Sequence, residues 1–218
     1  MNYTTLVESL KDYMIRYDPP FVTQIPNFIQ QGIIRIYNNT KDEGFEKFLT
    51  PANTGIGNRT VIKPNDWLET LSFNLTPLVG GDSFFLLPRS YQFCRNYWPN
   101  RLNTAPPKFY CDVNTINQAA LQTQFYQKWE LVPTPDAVYT INIVYAGTPN
   151  FNNAAGTNFL TERYPNLLLF SCLIECCLFL DNEEKRVKYD AMYKEELASV
   201  MAINTGRFDD KTVNRDKK

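Results

Sequence analysis

A chain of 218 residues, 44 % hydrophobic, with 22 basic against 23 acidic side chains, has length for one sizeable domain or two small ones and lacks the basic surplus of a dedicated nucleic-acid binder. It contains no histidine, which removes Ser-His-Asp, Cys-His and His-metal chemistry and leaves only carboxylate- or lysine-based catalysis open. An odd number of cysteines, five, behind an N-terminus (MNYTTLVESLKDYM) with no apolar signal core points to a reduced cytosolic setting rather than a disulfide scaffold.

Residues 3–17 carry Leu6, Leu10, Tyr13, Met14 and Tyr17 at helical spacing, and Asp18-Pro19-Pro20 ends that element. A second helix is predicted from Ile25 to Tyr37, with Pro26 in its first turn and Ile25, Phe28, Ile29, Ile33 and Ile36 along one stripe. From Arg59 to Ala146 the period changes. TVIKP, WLETLSFNL, SFFLLP, KFYCDV, FYQKWELVP and VYTINIVYAG are short apolar runs separated by Pro, Gly or Asn, and each reads as a strand. In the last, Tyr139, Ile141, Ile143 and Tyr145 share one face and Val138, Thr140, Asn142 and Val144 the other. Gly80-Gly81-Asp82 reads as a turn, and PRSYQFCRNYWP as a short helical or turn segment rich in aromatics.

The chain then returns to helix. Pro165 suits a first helical position, and Leu167 to Leu180 is apolar on every face. About 20 apolar residues are needed to span a bilayer. This run is shorter and holds Glu175 near its centre, so it reads as a central core helix. A fourth helix, Asn182 to Asn204, buries Tyr189, Met192, Tyr193, Leu197, Val200 and Met201, with Gly206 as its stop. The expected fold class is α+β: one domain over 1–218, in which a helical bundle from 1–58 and 150–204 carries a β-rich insertion at 59–149 and a flexible tail at 205–218.

Candidate sites are few. Cys172 and Cys176 lie four apart on one helix face, but no CxxC pair or histidine completes a metal set, and Cys94 and Cys111 stand apart in sequence. Apolar neighbours suppress thiol ionisation, so all five read as small core fillers. Glu175 needs a basic partner, from Arg163 or the N-terminal helices, or a neighbouring subunit. Gly55-Ile56-Gly57 is a lone GxG with no helix behind it and reads as a loop. No catalytic, metal or cofactor-binding residue and no cofactor is assigned. Aromatic side chains crowd residues 84–129, more than one small β module hides, and subunit contacts would cover the rest.

IPNFIQQGIIRIY, FFLLPRSYQFCRNYWPN, LVPTPDAVYTINIVYAGTP, TNFLTERYPNLLLFSCLIECCLFLDNEEK and YDAMYKEELASVM, in that order, resemble the neck adaptors of tailed phages, also called head-to-tail connector or tail tubular A-type proteins. Phe159 stands where that pattern has tryptophan. The resemblance implies a structural virion protein rather than an enzyme, assembled in the host cytoplasm. It implies a homo-oligomeric ring of twelve copies joining portal to tail nozzle or tail-tube proteins. DNA would pass through the ring without sequence-specific binding, and no membrane would be involved. It further implies a C-terminal segment that docks on the portal, here Arg207, Phe208, Lys211, Arg215, Lys217 and Lys218. Alternatives are another neck, tail-completion or stopper protein, or a small carboxylate- or lysine-dependent enzyme.

Overall fold

The change of hydrophobic period along the chain is realised as helices at both ends and strands between. The computed structural model describes residues 1–49, 52–116, 125–151 and 156–209. Contacts within the chain group Met1–Phe45 with Thr148–Lys218 as one unit and Glu46–Gly147 as another. The α+β expectation holds.

In the first unit, α1 (Tyr3–Met14) opens on a reciprocal cap. The Asn2 side chain accepts from the Thr5 N–H, and the Asn2 N–H donates back to the Thr5 hydroxyl, both at 2.8 Å. The helix ends at Met14, before the predicted Tyr17, because Ile15 takes a left-handed conformation (φ 55°). Helix α2 (Pro19–Thr40) starts earlier than Ile25. Pro19 and Pro20 occupy its first turn, where a missing N–H costs nothing, and Pro26 therefore falls inside the helix rather than at its start. After the strands, a five-residue helix not foreseen in the sequence, α4 (Phe159–Arg163), is capped by Asn158 and Thr161 in the same reciprocal way as α1.

Helix α5 (Pro165–Phe179) is the pillar of this unit. Leu167, Leu168, Cys172, Leu173, Ile174, Cys176 and Cys177 are all buried, and it touches α1, α2, α4 and α6 (Glu183–Asp209). Only its end departs from the expectation, since Leu178 and Phe179 are exposed. α6 buries Tyr189, Tyr193 and Val200, leaves Met192 and Met201 largely exposed, and runs through Gly206 instead of stopping there.

The approach of α2 to α5 is set by one glycine. A Cβ on Gly32 would lie 2.8 Å from the Ser171 hydroxyl and 2.9 Å from the Cys172 sulfur. The short side chains at 171 and 172 are what allow the two backbones to come so close.

The second unit begins at Glu46, ahead of the predicted boundary at 59. Here β1 (Glu46–Phe48) and β2 (Ala52–Asn53) both pair antiparallel with β9 (Tyr139–Gly147). On its other side β9 pairs with β4 (Trp67–Pro77), which pairs with β5 (Phe84–Phe85). The second sheet runs β3 (Thr60–Ile62), β8 (Phe125–Val132), β7 (Phe109–Ile116), β6 (Leu87–Pro88), with β6 and β7 parallel. Tyr139, Ile141, Ile143 and Tyr145 all turn inward, as the alternation predicts, against Phe73, Leu75, Tyr110, Trp129 and Leu131. Gly80 and Gly81 take positive φ in the β4–β5 connection. The aromatic segment forms α3 (Tyr91–Tyr97), capped by Ser90.

Replacing Gly32 with Val should lower stability by about 2 kcal/mol, since overpacking a close crossing costs roughly 1–3 kcal/mol. Urea denaturation with reductant present measures it. An unchanged midpoint would mean that α2 and α5 can separate freely.

Candidate functional site

The five cysteines are free and buried. Cys172, Cys176 and Cys177 lie inside the α5 core. Cys94 and Cys111, far apart in sequence, meet: α3 lies on β7, and the two thiols pack together with Val132 under Trp98, Phe109 and Val113. β7 is thus covered on both faces, with Tyr110 turned to the sheet core and Cys111 turned to α3. Burial pushes the Cys111 and Cys172 thiols up to about 12 and Cys176 higher still. Such sulfurs are protonated near neutral pH and make poor nucleophiles and poor metal ligands. Among the described residues no cluster of three or more Cys, Asp or Glu is placed to hold a metal ion.

Glu175 finds its partner in α2. Arg35 donates to one carboxylate oxygen through Nε at 3.0 Å and Nη2 at 2.5 Å, while Arg163 is exposed on α4. The pair is about one-third and one-fifth accessible and borders a shallow groove lined by Gln31, Ile34, Asn38 and Asn39. It ties the two helices together and leaves the carboxylate no second acid to work with.

Lys63 is the buried charge that the sequence does not reveal. Its side chain is fully buried, with Nζ 3.2 Å from the centre of the Trp67 ring and 5.5 Å from that of Trp129. An Asp112 carboxylate oxygen lies 2.7 Å away at an angle that does not align a hydrogen bond. Desolvation lowers its pKa, and Asp112 opposes that shift. A catalytic lysine needs such a depressed pKa but also an open path to substrate, and here two indoles close the path.

Exposed large apolar side chains occur on both units. At the tips of the helical unit Ile15, Tyr17, Leu178, Phe179 and Val187 are exposed. Ile15 is also β-branched in left-handed backbone, a conformation that costs about 1 kcal/mol. On the β unit, Leu87, Tyr91, Phe93, Tyr97 and Leu102 are exposed around α3. Such patches mark contact surfaces. A hollow of about 510 Å³ on the open face of the first sheet, between Phe48, Phe85, Asn142 and Val144, holds no titratable side chain.

Of the predicted tail residues, the backbone of Arg207 and Phe208 continues α6. Their side chains, and all of Lys211, Arg215, Lys217 and Lys218, lie outside the described residues. No described helix is long and apolar enough to cross a membrane.

Raised thiol pKa values make alkaline sensitivity a readout of burial. Below about pH 8.5 both states hold the thiol proton; above it the unfolded chain loses protons that the folded chain keeps. Stability should therefore fall from about pH 8.5 toward 12, with buried Tyr139, pushed up to about 12, adding to the loss from about pH 10. Lys63 and, at higher pH, Arg59 oppose this, because a lowered pKa favours the folded state as pH rises toward the group's ordinary value. Urea unfolding at stepped pH under reductant should show the decline, shallower in Cys172→Ala. A flat profile would contradict the buried thiols. Arg35→Ala should cost about 1–3 kcal/mol, because it strands a half-buried carboxylate, and Glu175→Gln should relieve part of that cost in the double variant.

The model of the SU10 adaptor protein family matches residues 1–215 of the chain. No curated protein matches it. With a match over nearly its full length, the chain belongs to the SU10 adaptor protein family, a family of phage head–tail adaptors.

Proposed function

We propose that this structural adaptor forms a closed ring of identical copies, twelve in number, seated between the portal and the tail nozzle or tail-tube proteins. The ring encloses part of the DNA passage. The observation that carries the reading is the family match across residues 1–215. Three physical features support it. A closed ring of one chain uses heterologous interfaces, in which two different patches on each copy must meet. Both units carry exposed apolar side chains from which such patches could be built. Near-balanced charge suits a conduit, since a strongly basic wall would hold DNA back through its phosphates. The chemistry-bearing groups that sequence alone leaves open, Glu175, Lys63 and the cysteines, are all engaged in packing or pairing.

We assign the portal contact to Arg207, Phe208, Lys211, Arg215, Lys217 and Lys218. A portal contact made through that segment would make ring formation follow portal completion, so that adaptors assemble on finished heads in the host cytoplasm.

Electron-microscopic imaging of the protein mixed with its phage's portal should show a ring of added density beneath the portal. Portals that stay bare would refute the placement, and six-fold density would refute the copy number. A chain lacking residues 207–218 should keep its fold by circular dichroism and fail to join portal-bearing heads. Attachment at the level of the full chain would move the portal contact elsewhere.

A further inference from the structure

The segment between Asp82 and Asp112 contains Arg89, Arg95, Arg101 and Lys108 and not one Asp or Glu, in a chain whose net charge is −1. A locally cationic stretch of that length leaves the remainder of the chain acidic. The structure gathers these charges at the exposed face around α3. From Leu87 to Thr104 the described side chains are exposed except Cys94 and Trp98, which anchor the helix to β7.

The arginines do not hang free. Arg89 lies 5.6 Å from the centre of the Phe93 ring and 5.7 Å from that of Phe109; Arg95 lies 5.9 Å from that of Tyr91. Arg101 donates to the Tyr91 hydroxyl at 3.1 Å. Arg59, at the edge of this group, is lowered in pKa first by its burial and further by Arg101 and Arg95, while Glu130 at 2.9 Å opposes the shift. Glu130 is the carboxylate that meets this group, and it is taken by Arg59. Arg89, Arg95 and Arg101 form no salt bridge among the described residues. A guanidinium resting on an aromatic ring is pre-ordered and partly desolvated, and it keeps N–H groups to offer a carboxylate as a fork.

The geometry points to a docking site for a carboxylate-rich surface of a partner protein, held by Arg89, Arg95 and Arg101 over Tyr91, Phe93 and Tyr97. Charge complementarity selects an acidic partner, and Arg with Tyr is the composition of interface hot spots. The same features disfavour nucleic acid. Single strands need open ring faces for base stacking. Here Phe93 and Tyr97 stack on each other at an interplanar angle of 10°, both meet Phe109 edge-on, and Arg89 and Arg95 lie over Phe93 and Tyr91. The acidic remainder of the chain repels phosphates. The chemistry of the site stands on its own residues; only the origin of the partner, another protein of the phage neck or tail, rests on the adaptor reading.

Fluorescein-labelled poly-L-glutamate and a single-stranded oligonucleotide of comparable charge serve as probes of the full chain, read by fluorescence anisotropy. Polyglutamate should bind more tightly than the oligonucleotide, weaken as salt rises, and lose at least about tenfold in affinity in the triple variant Arg89→Ser, Arg95→Ser, Arg101→Ser. A triple variant that does not fold is replaced by Arg101→Ser alone, with about a threefold loss expected. Unchanged polyglutamate binding in a folded variant overturns the site. So does an oligonucleotide that binds more tightly than polyglutamate and is lost in the same variant, since that makes the face a nucleic-acid site. A wild-type chain that binds polyglutamate through these arginines but adds no ring to the portal removes the adaptor placement and leaves the carboxylate site standing.

Discussion

The close crossing of α2 over α5 at Gly32 is the constraint on which the helical unit turns. The backbones can approach because position 32 has no side chain and positions 171 and 172 have short ones. That proximity lets Arg35 reach Glu175 and buries the α5 sulfurs among Leu and Ile. Cys172 is there for size: it fills space where leucine would push the helices apart, and its apolar surroundings hold the thiol proton in place.

The β unit meets a different requirement. A strand such as β7, with apolar residues on both faces, needs two covers. The facing sheet supplies one and α3 supplies the other, so α3 exists as much to seal Cys111 as to display its own outer face. Lys63 shows the same economy of space. Its ammonium is removed from water yet held between indole faces and Asp112, where cation–π attraction and an ion pair offset desolvation.

The buried ion-pairing groups of both units, Glu175 with Arg35 and Glu130 with Arg59, find their partners within their own unit, and apolar and cationic groups are left outside. That distribution suits a protein whose work is contact. A catalytic site would show the reverse: perturbed, accessible groups converging on a cleft. The thiols and Lys63 are closed off, and the accessible perturbed carboxylates, Asp18 and Glu183, are each held by a neighbouring arginine, Arg16 and Arg186.

Much of this is written locally in the chain. Hydrophobic period identifies α2, α6 and the alternating faces of β9, because burial of one stripe or one face is what those elements are for, and unbroken apolar character identifies α5. The missing histidine, the apolar setting of Cys172 to Cys177 and the cationic character of residues 83–111 can be read directly. What sequence cannot supply is pairing across distance. β1 and β2 carry no alternation and are strands only because β9 offers them an edge. Pro19 and Pro20 begin α2 while the left-handed Ile15, not the prolines, ends α1, and only the backbone shows which residue does which. Cys94 meets Cys111, Glu175 meets Arg35 rather than Arg163, and Lys63 settles over Trp67 with Trp129 beside it, because packing brings together residues that no local pattern relates. Periodicity records which face a residue buries; the tertiary fold alone decides what it is buried against.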